Sequence, residues 1–291
     1  MEKQNIVSAL AKSIILAFSL TLIFAAVALA DGPLPEPTPP KYIISLPIVV
    51  RNFHPEPPEP LQRGAALAYG DTHCQDIEKL NAGWHFNWGE TDPCPHIHAE
   101  FVPMIWGKTS AVPVLVDDGE WLMGFNEPNY KGQAVMLPEE AAAMWPYLEA
   151  TGRKLVSPAV AACESSNPNC LYDPYQWMDE FFEACQECRI DAIGVHWYGG
   201  PGASLEAHLE KMAVYGKPLW LTEFGFTWEN ILYCMKEALP IVRKMTVRHA
   251  WFAARLDPAL MPPDAYTFGP LTLIDPQTDQ LTALGEWYST H

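Results

Sequence analysis

Residues 121–157 read WLMGFNEPNYKGQAVMLPEEAAAMWPYLEATGRKLVS. Trp121–Asn126 is a short apolar run, long enough for a strand and too short for a helix. Pro138–Gly152 carries proline at its first turn, two glutamates just after it, then alanines and apolar residues, and closes on glycine, which predicts a helix. Leu155–Ser157 is apolar again. The sum is a strand, a helix and a second strand, the unit from which parallel sheets are built.

The same alternation extends outward in both directions. Gly64–Tyr69, Ala82–Asn87 and Phe101–Trp106 precede the unit, and Ala192–His196, Pro218–Thr222 and Val247–Phe252 follow it. Helical patterns lie between them at Asp173–Cys188, Ser204–Tyr215 (with Ser204 as its cap and Gly216 as its stop) and Asn230–Lys244, and Leu281–Tyr288 closes the chain. Eight apolar runs interleaved with helices predict an α/β fold of the (β/α)8 TIM-barrel type over residues 63–291. The rival is an open, doubly wound sheet. It usually has a glycine-rich first turn, whereas the turn here is Gly70-Asp71-Thr72-His73.

Ahead of that domain, Lys3 and Lys12 flank the start of an apolar run, Ile14–Val27, and Ala28-Leu29-Ala30 is a small-x-small cleavage pattern. Residues 1–30 therefore read as a signal peptide, with an uncleaved anchor as the alternative. Residues 31–62 form a linker rich in proline (Pro33, Pro35, Pro37, Pro39, Pro40, Pro47, Pro55, Pro57, Pro58, Pro60), interrupted by the apolar stretch Tyr42–Phe53. The expected location is extracellular, with no membrane attachment after cleavage, and the expected state is a monomer.

Export suits the seven cysteines. Near neighbours suggest Cys163–Cys170, Cys185–Cys188 and Cys74–Cys94, leaving Cys234 unpaired. A zinc site from Cys163, Cys170, Cys185 and Cys188 is the competing reading, but a barrel puts the two pairs at opposite ends. The net charge of −17 repels phosphate backbones, which argues against nucleic acid and fits a neutral substrate. Eleven tryptophans either fill the core or offer flat faces to sugar rings.

In a barrel the chemistry sits where strands end. The runs end in Asn87-Trp88, Trp106-Gly107, Asn126-Glu127-Pro128-Asn129, His196-Trp197-Tyr198, Thr222-Glu223-Phe224 and Trp251-Phe252. Two carboxylates, Glu127 and Glu223, stand on the fourth and seventh strands, facing one another across the mouth. Cleavage of a glycosidic bond needs such a pair: one to protonate the leaving oxygen, one to attack the anomeric carbon or activate water. Asn126 is a candidate sugar contact, with turn capping as the alternative. His196 and Tyr198 are candidates for orienting Glu223, or for simple packing. Trp251, Trp106, Trp88 and Trp197 are candidate platforms, Trp251 foremost. His96-Ile97-His98 has the form of a metal pair but precedes a strand, so no metal and no cofactor is expected.

Several segments carry a resemblance. Phe101–Gly107 (FVPMIWG), Gly124–Asn129 (GFNEPN), Pro138–Ala141 (PEEA), Asp191–Gly199 with Val195–Gly199 (VHWYG), and Gly216–Phe224 (GKPLWLTEF) resemble glycoside hydrolase family 128, in order, from about Arg63 to the end of the chain. The resemblance implies a retaining, endo-acting hydrolase of β-1,3-glucan. By position it implies Glu127 as acid/base, Glu223 as nucleophile and Asn126 as the contact to the sugar 2-hydroxyl. Glu127 would begin protonated and Glu223 ionised. A barrel glycosidase for another β-glycan (mannan, xylan, β-1,4-glucan) and a non-catalytic glycan-binding barrel are the alternatives.

Overall fold

The computed structural model describes residues 62–116, 119–226 and 229–291. The expected signal peptide, the linker up to Leu61 and the stretch Tyr42–Phe53 lie outside the described residues. Eight strands run in chain order: β1 (Arg63–Ala66), β2 (Trp84–Phe86), β3 (Glu100–Phe101), β4 (Trp121–Met123), β5 (Lys154–Val156), β6 (Ile193–Trp197), β7 (Leu219–Phe224) and β8 (Arg248–Trp251). Every strand pairing is parallel. Six strands form one sheet in the order β3-β2-β1-β8-β7-β6, and β4 pairs with β5. Parallel bridges Met104–Met123 and Val156–Ala192 connect that pair to the continuation of β3 and to the start of β6. The eight predicted runs are thus all strands of a parallel α/β sheet, each shorter than or offset from its apolar run except β7, which extends two residues further to take in Glu223.

The helices are α1 (Gln75–Lys79), α2 (Pro138–Glu149), α3 (Pro174–Ala184), α4 (Ala203–Ala213), α5 (Ile231–Met245) and α6 (Ala283–Thr290), with a 3-10 helix at Pro263–Leu271. Among the described residues none lies between β2 and β3 or between β3 and β4. The caps explain most helix starts. Asp173 accepts from the backbone N–H groups of Tyr175 and Gln176, Asn230 from Tyr233 and Thr282 from Gly285, each cap contributing about 1 kcal/mol. Gly152 and Gly216, at φ +78° and +69°, turn the chain away after α2 and α4 in a conformation that suits glycine. Ser204 is not the cap of α4. Gly202 precedes that helix, and the Ser204 hydroxyl donates back to the carbonyls of Gly200 and Pro201.

Because helices cover the sheet, β6 and β7 are buried along nearly their whole length, which is why each opens on consecutive apolar residues rather than an alternation, with polar groups (His196, Thr222, Glu223) only toward the strand ends. Trp84, Trp145, Trp177, Trp220 and Trp251 are fully buried, so close to half of the tryptophans belong to the core. Near the strand starts, Trp220 packs at 5.5 Å from Trp84 and 4.5 Å from Trp121, and the Arg248 guanidinium lies 4.4 Å over its ring while pairing with Glu100 at 2.6 Å. The expected disulfides Cys74–Cys94, Cys163–Cys170 and Cys185–Cys188 are formed, with Cα separations of 5.5, 5.6 and 5.1 Å, and Cys234 is free and buried. The paired cysteines leave no thiolates for the alternative zinc site.

Candidate active site

Glu127 follows β4 at φ +43°, a left-handed conformation uncommon for a non-glycine residue and held here by hydrogen bonds on both sides. Its N–H donates to the Ala159 carbonyl at 2.8 Å, and its own carbonyl accepts from Tyr130 N–H at 3.0 Å. Glu223 lies within β7. The pairing of β7 with β6 runs Val195–Leu221 and then His196–Glu223, and its pairing with β8 jumps from Leu221–His249 to Phe224–Trp251. One residue of β7 is therefore extra relative to both neighbours. Such a bulge re-aims the side chain beside it, and it brings Glu223 level with His196.

Glu127 and Glu223 are 9% and 5% exposed, and one oxygen of each lies within 4.8 Å of the other. His196, fully buried, bridges them. Its Nδ1 is 3.0 Å from Glu127 Oε1 and its Nε2 is 3.3 Å from Glu223 Oε1. Two further donors hold Glu223: the indole N–H of Trp88 to Oε1 at 2.6 Å and the hydroxyl of Tyr198 to Oε2 at 2.8 Å. The Tyr198 ring is backed by Phe252, edge-on at 5.9 Å, and by Phe268 of the 3-10 helix, tilted at 6.0 Å.

The charges follow from this geometry. Burial raises Glu223 above the ordinary carboxylate range, and the charge of Glu127 adds to that. His196, Trp88 and Tyr198 oppose it without cancelling it. Burial works against a charged His196, yet the two carboxylates outweigh it and raise the imidazole above its usual value. The Tyr198 phenol is pushed well up, first by burial and then by the two carboxylates, so it stays a hydrogen-bond donor. Glu223 and His196 therefore act on one another: charge on the imidazole favours the ionised carboxylate, and the carboxylate favours the charged imidazole.

By spacing alone, Glu127, His196 and Glu223 could surround a cation. The Trp88 N–H and Tyr198 O–H, however, already point their positive ends at both oxygens of Glu223, an arrangement that serves an anion. His96 and His98 are exposed, in the turns before β3.

The structure brings together five of the predicted site residues: Glu127, Glu223, His196, Tyr198 and Trp88. Trp88 serves by its N–H edge, and its ring packs at 4.6 Å from Phe86 and 5.7 Å from Phe252. Asn126 is adjacent and buried. Its N–H donates to the Trp106 carbonyl, and the Trp106 side chain is 40% exposed, an open aromatic face. Trp197 is half-buried, donates to the Gly200 carbonyl at 2.8 Å and stacks on His208 at 4.7 Å. Trp251 corrects the expectation of a sugar platform. It is fully buried, its N–H donates to the Leu271 carbonyl at 2.7 Å, and Phe224 and Phe226 enclose its ring, so it offers no face to a ligand. Gln133 also belongs to this cluster. Its side-chain oxygen accepts from Asn126 Nδ2 at 3.1 Å, and no local pattern announces that contact.

The glycosyl hydrolase catalytic core family model matches residues 64–288. A family 128 (subgroup II) endo-β-1,3-glucanase from Sorangium cellulosum is 31% identical, with a TM-score of 0.64, covering 78% of this chain and 97% of that one. The chain belongs to the glycosyl hydrolase catalytic core family, in glycoside hydrolase family 128. A family 128 (subgroup I) endo-β-1,3-glucanase from Amycolatopsis mediterranei, solved with laminarihexaose, is 28% identical at a TM-score of 0.62, covering 78% of this chain and 98% of that one. Alkali-sensitive linkage protein 1 of Schizosaccharomyces pombe is 29% identical over 203 residues, which make up 65% of this chain and 37% of that protein. The chain thus spans little more than a third of that relative's length. The catalytic core match, residues 64–288, runs from β1 into α6 and includes every residue of the carboxylate cluster.

Proposed function

We propose that this chain is an exported, retaining endo-β-1,3-glucanase whose nucleophile is Glu223 and whose acid/base is Glu127. The observation that carries the reading is the carboxylate pair with oxygens within 4.8 Å. Retaining enzymes hold their carboxyls about 5–5.5 Å apart, whereas inverting ones leave about 6.5–9.5 Å for a water. The strand pairings support a closed (β/α)8 barrel, with β1 and β8 as neighbours and bridges on either side of β4 and β5. Residues 1–30 act as a signal peptide and 31–62 as a spacer ahead of a catalytic domain at 63–291, and the enzyme works as a monomer. No helix among the described residues is long and apolar enough to cross a membrane.

In the reaction, a Glu223 oxygen attacks the anomeric carbon. The bond from that carbon to the bridging oxygen breaks, and Glu127 gives its proton to that oxygen. Trp88 and Tyr198 favour the ionised form of Glu223 before attack. Once Glu223 is an ester its charge is gone, and the pull that keeps a proton on His196 weakens. Water then adds to the anomeric carbon, its proton passes to Glu127, and Glu223 is released as carboxylate. Trp106 is an aromatic platform on the rim. The glucan assignment draws on the Sorangium and Amycolatopsis proteins, both described as endo-β-1,3-glucanases.

The test is reducing-sugar release from laminarin, curdlan, mannan, xylan and a β-1,4-glucan. Cleavage of laminarin with short oligosaccharides among the first products is expected, and activity confined to the other polymers refutes the substrate. Glu223→Gly should be inactive alone and should form the inverted glycosyl azide when azide is added. Rescue by azide of Glu127→Gly in that form, and not of Glu223→Gly, would reverse the two roles.

A further inference from the structure

Asn126 is 3% exposed, and its Oδ1 has no hydrogen-bond partner among the described residues, while its Nδ2 donates to Gln133 Oε1 at 3.1 Å. An unpaired buried amide oxygen costs about 1–3 kcal/mol, so a fold that keeps one next to Glu127 leaves room for a donor that arrives from outside. The loop after Glu127 is shaped to bring Gln133 back over Asn126. Gly132 turns the chain at φ +85°, Gln133 N–H donates to the Tyr130 carbonyl at 3.2 Å, and Ala134 N–H donates to the Asn126 carbonyl at 3.2 Å. Asn126 is thereby fastened to the same loop twice, once through its backbone and once through its amide. A side-chain amide free at both ends rotates about its last torsion and can exchange oxygen and nitrogen in the same space. Held at Nδ2, it presents Oδ1.

We propose that Gln133 is a positioning residue that grips Asn126 by Nδ2, so that Asn126 Oδ1 accepts a hydrogen bond from the 2-hydroxyl of the glucosyl unit bound between Glu127 and Glu223. This rests on the glycosidase reading and deepens it. Contacts to the 2-hydroxyl strengthen as the oxocarbenium-like transition state forms, so a loosened Asn126 lowers kcat more than it raises KM. Misplacement of such a group by an ångström costs on the order of a hundredfold.

The experiment uses aryl β-laminaribioside and its counterpart lacking the 2-hydroxyl on the reacting sugar, with the full chain and its variants. Gln133→Leu should lose about tenfold to a hundredfold in kcat on the first substrate, with KM nearly unchanged, and lose little on the second. Gln133→Glu keeps an acceptor for Nδ2 and should retain most of the difference between the substrates. Adding Gln133→Leu to Asn126→Ala should cost nothing more. Equal losses on both substrates, additive losses in the double variant, or failure of Gln133→Glu to preserve the discrimination overturns the assignment to Gln133 alone. A wild-type protein that cleaves neither glucan nor aryl glycoside removes the glycosidase reading and this inference together.

Discussion

Replacing Trp88 by phenylalanine isolates one hydrogen bond at the heart of the site. The phenyl ring keeps the packing against Phe86 and Phe252 and removes the N–H that reaches Glu223 Oε1 at 2.6 Å. Hydrogen bonds to a charged partner contribute about 1.5–3 kcal/mol, and Glu223 is buried enough that water does not replace the lost donor. If the bond is made most strongly in the transition state, where it holds the Glu223 oxygens in line with the anomeric carbon, its loss lowers kcat/KM by roughly 10- to 100-fold. The sign of the pH effect follows from the same contact. Trp88 stabilises the carboxylate over the carboxylic acid, and burial already raises Glu223. Removing the donor raises it further, so the acid limb of kcat/KM moves to higher pH. The assay is initial-rate hydrolysis of soluble laminarin from pH 3 to 8, with thermal unfolding as a control for folding. A folded variant with an unchanged acid limb and near-wild-type kcat/KM would refute the claim that Trp88 holds the nucleophile.

Three more outcomes are expected. Burial holds His208 at about 4 and His249 at about 3, the latter helped by Arg63 and Arg243; the unfolded chain binds protons near pH 6.5 where the folded one does not. Stability from these two histidines is therefore complete above pH 6.5 and declines as pH falls toward 4 and 3, by at most about 1.4 kcal/mol per pH unit each. Urea unfolding at pH 7 and pH 5 checks this, and a His249→Phe variant that unfolds with an unaltered pH slope contradicts it. Arg255 is buried with Asp76, which accepts its Nε and terminal N–H groups at 2.7 and 2.8 Å. Arg255→Leu leaves that buried carboxylate with only the long contact from Lys79 Nζ at 3.5 Å and should cost about 3–5 kcal/mol in chemical denaturation; a loss under 1 kcal/mol contradicts a buried pair. Trp251→Phe should cost about 1–3 kcal/mol of stability through lost packing and the lost bond to Leu271, with no change in KM for laminari-oligosaccharides. A raised KM without destabilisation would restore Trp251 as a platform.

The eight apolar runs were legible because a strand buried on both faces opens with consecutive apolar residues, as in Leu219-Trp220-Leu221 of β7. That same uniformity hid the bulge at Glu223, since a continuous apolar run carries no alternation from which register can be read. It also misled at Trp251, because a strand-end position does not tell whether a side chain points to the mouth or, as here, into the core beside Leu271. Glu127 and Glu223 were legible because local motifs and strand order together put them at one end of the sheet. Trp88, 135 residues away from Glu223 in sequence, was legible as an aromatic at the mouth but not as a hydrogen-bond donor. Gln133 was not legible at all, because its value depends on how a seven-residue loop folds back. α1 was too short to show a helical period, and the proline-bearing 3-10 helix that backs Tyr198 reads as loop.

The most direct test of the account is covalent trapping. Wild-type protein is incubated with 2,4-dinitrophenyl 2-deoxy-2-fluoro-β-laminaribioside, and the labelled peptide is identified by mass spectrometry. The account predicts one fluorolaminaribiosyl group per chain, on Glu223, with inactivation tracking its formation. Turnover of β-1,3-glucan without any adduct, or an adduct on Glu127, would contradict it.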